Sequence, residues 1–283
     1  MMKIKVKRKR KAKTKARRNP FPVTLAAATL ALFLMATACQ GGGKDSASTS
    51  GEDPAAGPAN SQGTHNTLTP EEMAAGWQLL FDGETTDGWR GYNQPAFPET
   101  GWGVDDGDLV VMASDGSEEG LGGDIVTEAQ FSDFELVFDF LVTPVGNSGV
   151  FYRVQEHPER SLWQVAPEYQ VLDDSAYIAM EGFDPRTHLT GDNYDLHSAA
   201  VRAMNPIGEW NRGRILVDGT RVEHWLNGHK TVEYELFSPE WEARVAESKF
   251  APYPEYARAL TGRIALQDHG HELRYRNIKI RPF

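Results

Sequence analysis

Cysteine is almost absent from this sequence, which contains a single one, Cys39, among its 283 residues. One thiol cannot form a disulfide within the chain, and it cannot build a zinc site that needs several cysteines. Thiol catalysis is excluded as well if Cys39 is lipidated, as the neighbouring residues indicate. Chemistry in this chain therefore has to rely on histidines, on carboxylates or on a bound metal ion.

Acidic residues are missing from positions 1–38, where eleven Lys and Arg form a basic block. An apolar, helix-prone run follows from Val23 to Ala38 and is shorter than the ~20 residues of a membrane-spanning helix. It ends in small residues directly before Cys39, which resembles the site read by lipoprotein signal peptidase. We therefore expect a signal peptide over 1–38 and a lipid on Cys39. The protein would be exported to the periplasm or the cell surface and would contact the membrane only through this anchor.

Positive charge is scarce in the rest of the chain, where 18 Lys and Arg face 40 Asp and Glu, for a net charge of −22. Such a surface repels nucleic acid and anionic lipid, and it suits a neutral ligand or a metal cation. Solubility alone would explain it equally well. We expect no nucleic-acid partner.

Aliphatic side chains are nearly absent from residues 39–69, which are rich in Gly, Ser, Ala, Pro, Asn and Asp. A segment of this composition cannot bury enough apolar surface to offset its conformational entropy, so it is predicted to be a disordered tether. Thr69 and Pro70 are suited to the N-cap and the first position of a short helix. Residues 70–283 are long enough for one large domain.

Long amphipathic helices are lacking between Gly76 and Phe283, and short strands take their place. From Phe134 to Phe140 the apolar residues recur with a period of two, which is typical of a strand with one buried face. Asn227-Gly228 favours a two-residue hairpin, because a type I′ turn needs positive φ at both central positions. These patterns predict an all-β fold, an antiparallel β-sandwich. Runs of similar pattern lie at 109–112, 150–154, 169–172, 214–217, 221–226, 231–236, 263–267 and 273–280.

Two long segments interrupt the strand pattern, Ala176–Met204 and Ser238–Ala259. The second contains several aromatic and acidic residues. Insertions of this length between strands more often line a functional site than serve packing alone.

The densest polar cluster on a predicted strand runs from Glu168 to Asp173. Alternation places Glu168 and Gln170 on the face opposite Tyr169 and Val171, so a carboxylate and an amide project outward together. The spacing resembles the Glu-x-Asp-x-x-Glu signature of retaining glucanases, with Gln170 in the middle and the shorter Asp173 last. Retaining cleavage needs two carboxyls ~5.5 Å apart, which would make Glu168 and Asp173 the catalytic pair. An ordinary exposed strand with an acidic end explains the segment equally well.

A second polar cluster follows Arg263. Because Ile264 and Leu266 are expected to face the core, Gln267 and His269 face away from it on an open surface. His269 and Glu168 could together bind a divalent cation, since hard cations favour carboxylate and imidazole ligands. No tight ligand spacing identifies such a site, so the metal remains one option.

Three further residues resemble those of a substrate-binding face: Arg153, His224 and Asn227. With Gln170 and Gln267 they complete the predicted binding set. His224 lies on the same face of its predicted strand as apolar neighbours. The competing interpretation is therefore that it is a core histidine with a satisfied hydrogen bond.

Six groups of residues occur in an order found in one known family. They are Trp77–Gly83 with Asp87–Trp89, Asn147–Arg153, Glu168–Asp173, Glu209–Asn211 with Arg214, His224–Gly228, and Gln267–Gly270 leading to Arg276–Ile280. From Gly76 to the C-terminus the chain thereby resembles the 3-keto-disaccharide hydrolase domain family. The resemblance implies a concanavalin A-like β-sandwich of jelly-roll type, action on 3-keto-glycosides, and a sugar 3-dehydrogenase that supplies the substrate. The one large departure is the segment Ser238–Ala259.

The chemistry implied by this resemblance suits the candidate residues. A ketone at C3 acidifies the proton on C2, so one base can remove it while the oxygen on C1 leaves by elimination, and water then adds. Glu168 or His269 is the candidate base, and Arg153, or a cation held by Glu168 and His269, would stabilise the enolate oxygen. Two alternatives stay open, a retaining glycosidase using Glu168 and Asp173 and a carbohydrate-binding module without catalysis.

Overall fold

Thirteen β-strands and three short α-helices form the part of the chain that the computed structural model describes, residues 65–114 and 120–283. The expected signal peptide, Cys39 and the tether up to residue 64 lie outside these residues. Within them, no helix is long and apolar enough to span a bilayer. The strands are β1 (Gln78–Leu79), β2 (Trp89–Gly91), β3 (Trp102–Asp105), β4 (Asp108–Val111), β5 (Ile125–Thr127), β6 (Phe134–Val142), β7 (Asn147–Val154), β8 (Glu168–Leu172), β9 (Trp210–Asp218), β10 (Arg221–Leu226), β11 (His229–Glu235), β12 (Arg263–Leu266) and β13 (Leu273–Pro282). The helices are α1 (Pro70–Ala74), α2 (Asp174–Ile178) and α3 (Pro239–Glu247).

The strands form two antiparallel sheets, which confirms the predicted β-sandwich. The larger sheet has eight strands in the order β11-β10-β9-β6-β13-β4-β3, with β1 beside β13. The smaller sheet has five strands in the order β2-β5-β12-β7-β8. Many neighbours in space are distant in sequence, as for β12, which lies between β5 and β7.

The main hydrophobic core lies between the two sheets. Phe134, Phe138 and Phe140 project into it from β6 with no exposed surface, as their period of two predicts. Tyr152 and Tyr169 project into it from the smaller sheet. Burying an aromatic side chain of this size stabilises the fold by roughly 1.5–3 kcal/mol, so the alternating strands account for much of the driving force.

Four strands were not indicated by the sequence: β1, β2, β3 and β5. Each has two to four residues, too few for alternation to be recognised. Two of them begin with a buried tryptophan, Trp89 in β2 and Trp102 in β3. The indole N–H of each donates a hydrogen bond to a main-chain carbonyl, so these rings anchor their strands to the core.

The folded region begins a few residues before the predicted boundary at residue 70. Asn66 is buried and forms two reciprocal hydrogen bonds of 2.7 Å with Asn277. In each, the main-chain N–H of one residue donates to the side-chain oxygen of the other. The end of the segment predicted as a tether is therefore packed on the sandwich. Thr69 caps α1 as expected, and Glu72 completes a reciprocal capping box with it.

Both long insertions reach the neighbourhood of Glu168. After α2, the first insertion runs beside β8, where the Tyr194 N–H donates a hydrogen bond of 3.1 Å to the Glu168 carbonyl. The second insertion forms α3, which begins after the Ser238 cap. It continues through Lys249 to Phe250, whose buried ring stacks on the Tyr256 ring with 3.9 Å between centroids.

Candidate functional site

The outer face of the five-stranded sheet divides into an apolar half and a polar half. In the apolar half, Leu162 and Val165 pack against Phe151 and Ala265 to form a second, smaller core. The polar half contains Glu168. It is therefore the candidate functional site.

Gly149 occupies the middle of this polar half. Its register partner on β8 is Gln170, and on its other side its carbonyl accepts a hydrogen bond of 3.0 Å from the Gln267 N–H. A Cβ atom added to Gly149 would lie only 2.2 Å from Oε1 of Glu168. The missing side chain therefore leaves the space in which the Glu168 carboxyl lies.

Two carboxyls in this site have raised pKa values, those of Glu168 and Asp124. Burial raises the pKa of Glu168 to about 8, the charge of Asp124 adds to the rise, and the ammonium of Lys249 opposes it. Burial also raises the pKa of Asp124 to about 7. A hydrogen bond from the Asp268 N–H lowers this pKa, and the negative charge of Asp268 raises it. Both groups thus exchange protons near neutral pH, as a general acid or base must.

Lys249 places a positive charge beside the Glu168 carboxyl. Its ammonium lies 4.0 Å from the centre of the Tyr194 ring and 4.5 Å from that of Trp163. Its main-chain N–H donates a hydrogen bond of 2.9 Å to the Asp195 carboxylate. Burial lowers the pKa of Lys249, and the charge of Glu168 opposes this change. Held against aromatic faces, the ammonium can stabilise negative charge that develops on a substrate oxygen.

Glu168 and Gln170 face outward as their parity predicts, but the expectation that they are exposed is wrong. Their exposed fractions are 5% and 3%. Within the described part of the chain, Oε1 of Gln170 is buried without a hydrogen-bond partner, so it is an open acceptor. Gln267 lies half-buried beside Gly149, and His269 lies half-buried in the turn before β13. Roles for these residues in binding or catalysis stay predictions.

Asp173 is not placed to form a catalytic pair with Glu168, and this prediction is corrected. Its carboxylate caps α2 through the Ala176 N–H and accepts further hydrogen bonds from Ser175 and from the Val145 N–H. Although burial alone raises the pKa of Asp173, these hydrogen bonds hold it below the ordinary value. Asp173 lies just beyond the end of β8, and its carboxylate is committed to the cap of α2 and to the Val145 N–H.

Arg153 also lies outside the predicted site. It lies at an irregularity between β7 and β12 with φ 53°, so its side chain leaves the alternation on which the prediction rested. Its guanidinium is buried, pairs with the Asp133 carboxylate at 3.0 Å and donates a hydrogen bond to the Ser132 carbonyl. Arg153 thus secures a turn and does not face the carboxyls.

His224 and Asn227 were predicted to bind substrate, and the structure places both elsewhere. His224 is fully buried between the sheets, where its Nε2 lies 2.9 Å from the Tyr152 hydroxyl. Burial lowers the pKa of His224 to about 3, so it is a neutral core residue. Asn227 has φ 49° in the predicted hairpin turn, and its amide binds the main chain of Arg212 and Ala203.

The predicted metal site is not formed by the described residues. In 65–114 and 120–283, no three or more His, Cys, Asp or Glu side chains are grouped so that they could hold a metal ion. Protein sites for divalent cations usually supply several such ligands, and Glu168 with His269 gives only two.

Asp124 and Lys249 are the site residues that the sequence did not single out. Asp124 directly precedes β5, a strand of three residues that no alternation revealed. Lys249 lies in the insertion Ser238–Ala259, so the length of that insertion was the one signal available for it. Nothing in the sequence pairs either residue with Glu168.

The fold and the site together define a class of protein. A jelly-roll sandwich with two interacting carboxyls of raised pKa and a lysine beside one of them, on the outer face of one sheet, has the groups of a glycoside-cleaving enzyme. Residues 76–281 match the model of the 3-keto-alpha-glucoside-1,2-lyase-like domain. The chain belongs to this family.

Relatives in sequence and in structure agree with this membership. The 3-keto-disaccharide hydrolase of Bacteroides thetaiotaomicron is 32% identical over 229 residues, which cover 74% of this chain and 79% of that protein. A crystal structure from Parabacteroides distasonis, described provisionally as a glycosyl hydrolase, has a TM-score of 0.70 and 34% identity and covers 78% of this chain and all of the other. A second such structure from the same organism has a TM-score of 0.55 and 25% identity, covering 73% of this chain and 99% of the other.

Proposed function

We propose that this protein cleaves the glycosidic bond of 3-keto-glycosides, including 3-keto-disaccharides, by proton abstraction at C2, elimination and hydration. The name of the Bacteroides relative supports the substrate class. The observation that carries the proposal is the pair of interacting carboxyls: buried Glu168, with a pKa of about 8 beside the Lys249 ammonium, and Asp124, with a pKa of about 7. Elimination requires a base, an acid and a stabiliser of negative oxygen, and these three groups supply them.

In the first step, the carboxylate form of Glu168 takes the proton from C2, and the electron pair moves toward the C3 oxygen. Lys249 stabilises the resulting enolate electrostatically, the role that the sequence predicted for Arg153. The enolate then re-forms the C3 carbonyl, a double bond forms between C1 and C2, and the bond from C1 to the leaving oxygen breaks. Asp124 gives that oxygen a proton, which requires the form of the pair in which Glu168 is ionised and Asp124 is protonated. Because the pKa of Asp124 is the lower of the two, this is the less populated singly ionised form. Water adds to C1 while C2 regains a proton, so the net reaction is hydrolysis. His269 remains a second candidate for the base.

The geometry favours this route over the two alternatives. The retaining mechanism predicted for Glu168 and Asp173 is not favoured, because the Asp173 carboxylate is committed to capping α2. A non-catalytic binding module has no need for two carboxyls whose pKa values lie near neutrality, since burying them costs stability. The buried pair is therefore better explained by proton transfer.

The decisive experiment compares matched glycosides with and without the 3-keto group. We expect turnover only of the ketone and, in deuterated water, deuterium at C2 of the product. Incubating the product without enzyme corrects for spontaneous exchange next to the ketone. Full-rate turnover without deuterium at C2 would indicate direct displacement at C1.

Site variants test the assignment of roles. We expect Glu168→Gln and His269→Ala each to lower turnover by about 10² or more, the scale of losing a general base or its electrostatic partner. Asp173→Asn, which keeps an oxygen for the helix cap, serves as the matched control and should retain turnover. Loss of activity in the control alone would restore Asp173 as a reacting group.

We further propose that the protein is exported and lipid-anchored at Cys39, and that a sugar 3-dehydrogenase produces its substrate. The basic block, the apolar run and the small residues before Cys39 support the anchor. Cells fed a labelled lipid precursor should label the wild type and leave Cys39→Ser unlabelled. Equal labelling of both would contradict the lipid anchor.

A further inference from the structure

A cavity of about 380 Å³ lies on the outer face of the larger sheet. It opens between α1 and strands β6, β9 and β13. Glu168 faces outward from the other sheet, so the core of the sandwich separates this cavity from the candidate active site. Its volume is within the range of small-molecule sites in proteins, about 300–1,000 Å³.

Fixed contacts build the wall of this cavity. Lys279 on β13 pairs with both carboxylate oxygens of Glu72 on α1, at 2.8 and 2.9 Å. The same Glu72 closes the capping box with Thr69, so the short helix is fastened to the sheet. Trp77 follows the helix and lines the cavity, with the Arg281 guanidinium 5.5 Å from the centre of its ring. The cavity is thus formed before any ligand arrives.

The charges that line the cavity compensate one another. Arg214 and Arg281 both bind the Glu135 carboxylate. Lys279 binds Glu72, and Arg212 binds the carboxylate of Asp139, which is not itself part of the lining. An anion would meet these acids and a cation would meet the guanidiniums, so neither gains a net attraction. The lining favours a neutral ligand.

The same groups keep hydrogen-bonding capacity for such a ligand. A guanidinium has five N–H donors and a carboxylate about four acceptor positions, and the ion pairs occupy only some of them. In the described chain, Nε of Arg281 is a buried donor without a hydrogen-bond partner. A sugar ring has hydroxyls that donate and accept and C–H faces that pack on an indole such as that of Trp77.

We propose that this cavity is a second saccharide site, which binds a neutral sugar without cleaving it and can hold the protein on a glycan while the other face reacts. The lining acids Glu72 and Glu135 are each held by a cation, and Lys279 together with the Thr69 N–H keeps the pKa of Glu72 below its usual value against the effect of burial. Apart from Glu71 on exposed α1, no acid of the described lining is without a cation, so the cavity offers no pair of carboxyls for acid and base catalysis. This site does not depend on the reaction proposed for Glu168.

Calorimetry on the full-length chain carrying Glu168→Gln tests the site with maltose, cellobiose and trehalose, neutral disaccharides without a 3-keto group. We expect at least one to bind in the millimolar range or tighter. Trp77→Ala should weaken binding by tenfold or more. Ala75→Met, which extends a side chain from the exposed end of α1 into the cavity, should do the same with unchanged thermal stability. Lys249→Met is the matched control at the other face and should bind normally.

Three results would overturn the proposal. Binding that is lost in Lys249→Met and kept in both Trp77→Ala and Ala75→Met would place the sugar at the candidate active site. Sulfate that binds the cavity in place of the sugars would show that it selects anions. Absence of binding by all three disaccharides up to millimolar concentration would remove the site altogether.

Discussion

Among single residues, Glu168 shows best how neighbours set its chemistry. Burial raises its pKa most, the ammonium of Lys249 lowers it, and the negative charge of Asp124 raises it further. Asp124→Asn should therefore lower the pKa of Glu168, and Lys249→Met should raise it. The acid limb of the pH profile of kcat/KM, which follows ionisation of the base, should move to lower pH in the first variant and to higher pH in the second. Carbon NMR of the labelled Glu168 carboxyl measures the same shifts directly. Shifts of equal sign would show that Glu168 is not the titrating base.

Gly149 has a role that depends on its lack of a side chain. Its φ is not positive, so its backbone accepts alanine, but the added Cβ would lie 2.2 Å from Oε1 of Glu168 and displace that carboxyl. We expect Gly149→Ala to reduce kcat by about 10-fold or more, as reacting groups tolerate little displacement. Gly103→Ala is the matched control, since its Cβ meets only the mobile end of Met112. Equal activity of both variants would show that Glu168 has room to move.

At the level of elements, Asp173 links β8 to α2. Loss of an N-cap costs about 0.5–2 kcal/mol, and Asp173 also binds the Val145 N–H. Asp173→Ala should therefore lower the free energy of unfolding by about 2 kcal/mol, measured in urea, while turnover at a temperature where the variant is folded stays within a few-fold of wild type. Turnover reduced a thousandfold with normal stability would instead make Asp173 a catalytic residue.

For the whole molecule, the buried ionisable groups predict a stability optimum on the acid side of neutrality. The pKa of Glu168 rises from 4.5 to about 8 on folding, so the folded state binds the extra proton and stability falls as pH rises through that window. Burial lowers the pKa of His224 from 6.5 to about 3 and that of His197 to about 4, so stability falls as pH drops below 6.5. The optimum should lie near pH 5–6.5.

Glu168→Gln isolates the alkaline side of this curve. Between pH 6.5 and 8 the free energy of unfolding of the wild type should fall by up to about 2 kcal/mol more than that of the variant. The slope is about 1.4 kcal/mol per pH unit when the folded state binds one proton more than the unfolded state. Urea unfolding at the two pH values gives the comparison. Parallel losses would mean that Glu168 ionises in the folded protein near its ordinary pKa.

The sequence by itself determined nine of the thirteen described strands, the hairpin and the first helix cap. Alternation in β6, the Asn227-Gly228 turn and the cap at Thr69 depend on residues within a few positions of one another, so local patterns are sufficient to predict them. The same alternation placed Glu168 on the outer face. It could not indicate how deeply that carboxyl is buried, because burial depends on segments distant in sequence.

Only the tertiary structure decided which residues share the site. Asp124 lies about 40 residues before Glu168 and Lys249 about 80 after it, and they meet because strand order and the insertions bring distant segments together. An irregularity in β7 turned Arg153 away, and the packing of two sheets placed His224 in the core. Parity assigns a side chain to one of two faces, whereas the pairing of sheets decides which face is core and which is site. For this reason the sequence predicted the sandwich and one of its reacting groups, and the arrangement of the others depended on contacts between distant parts of the chain.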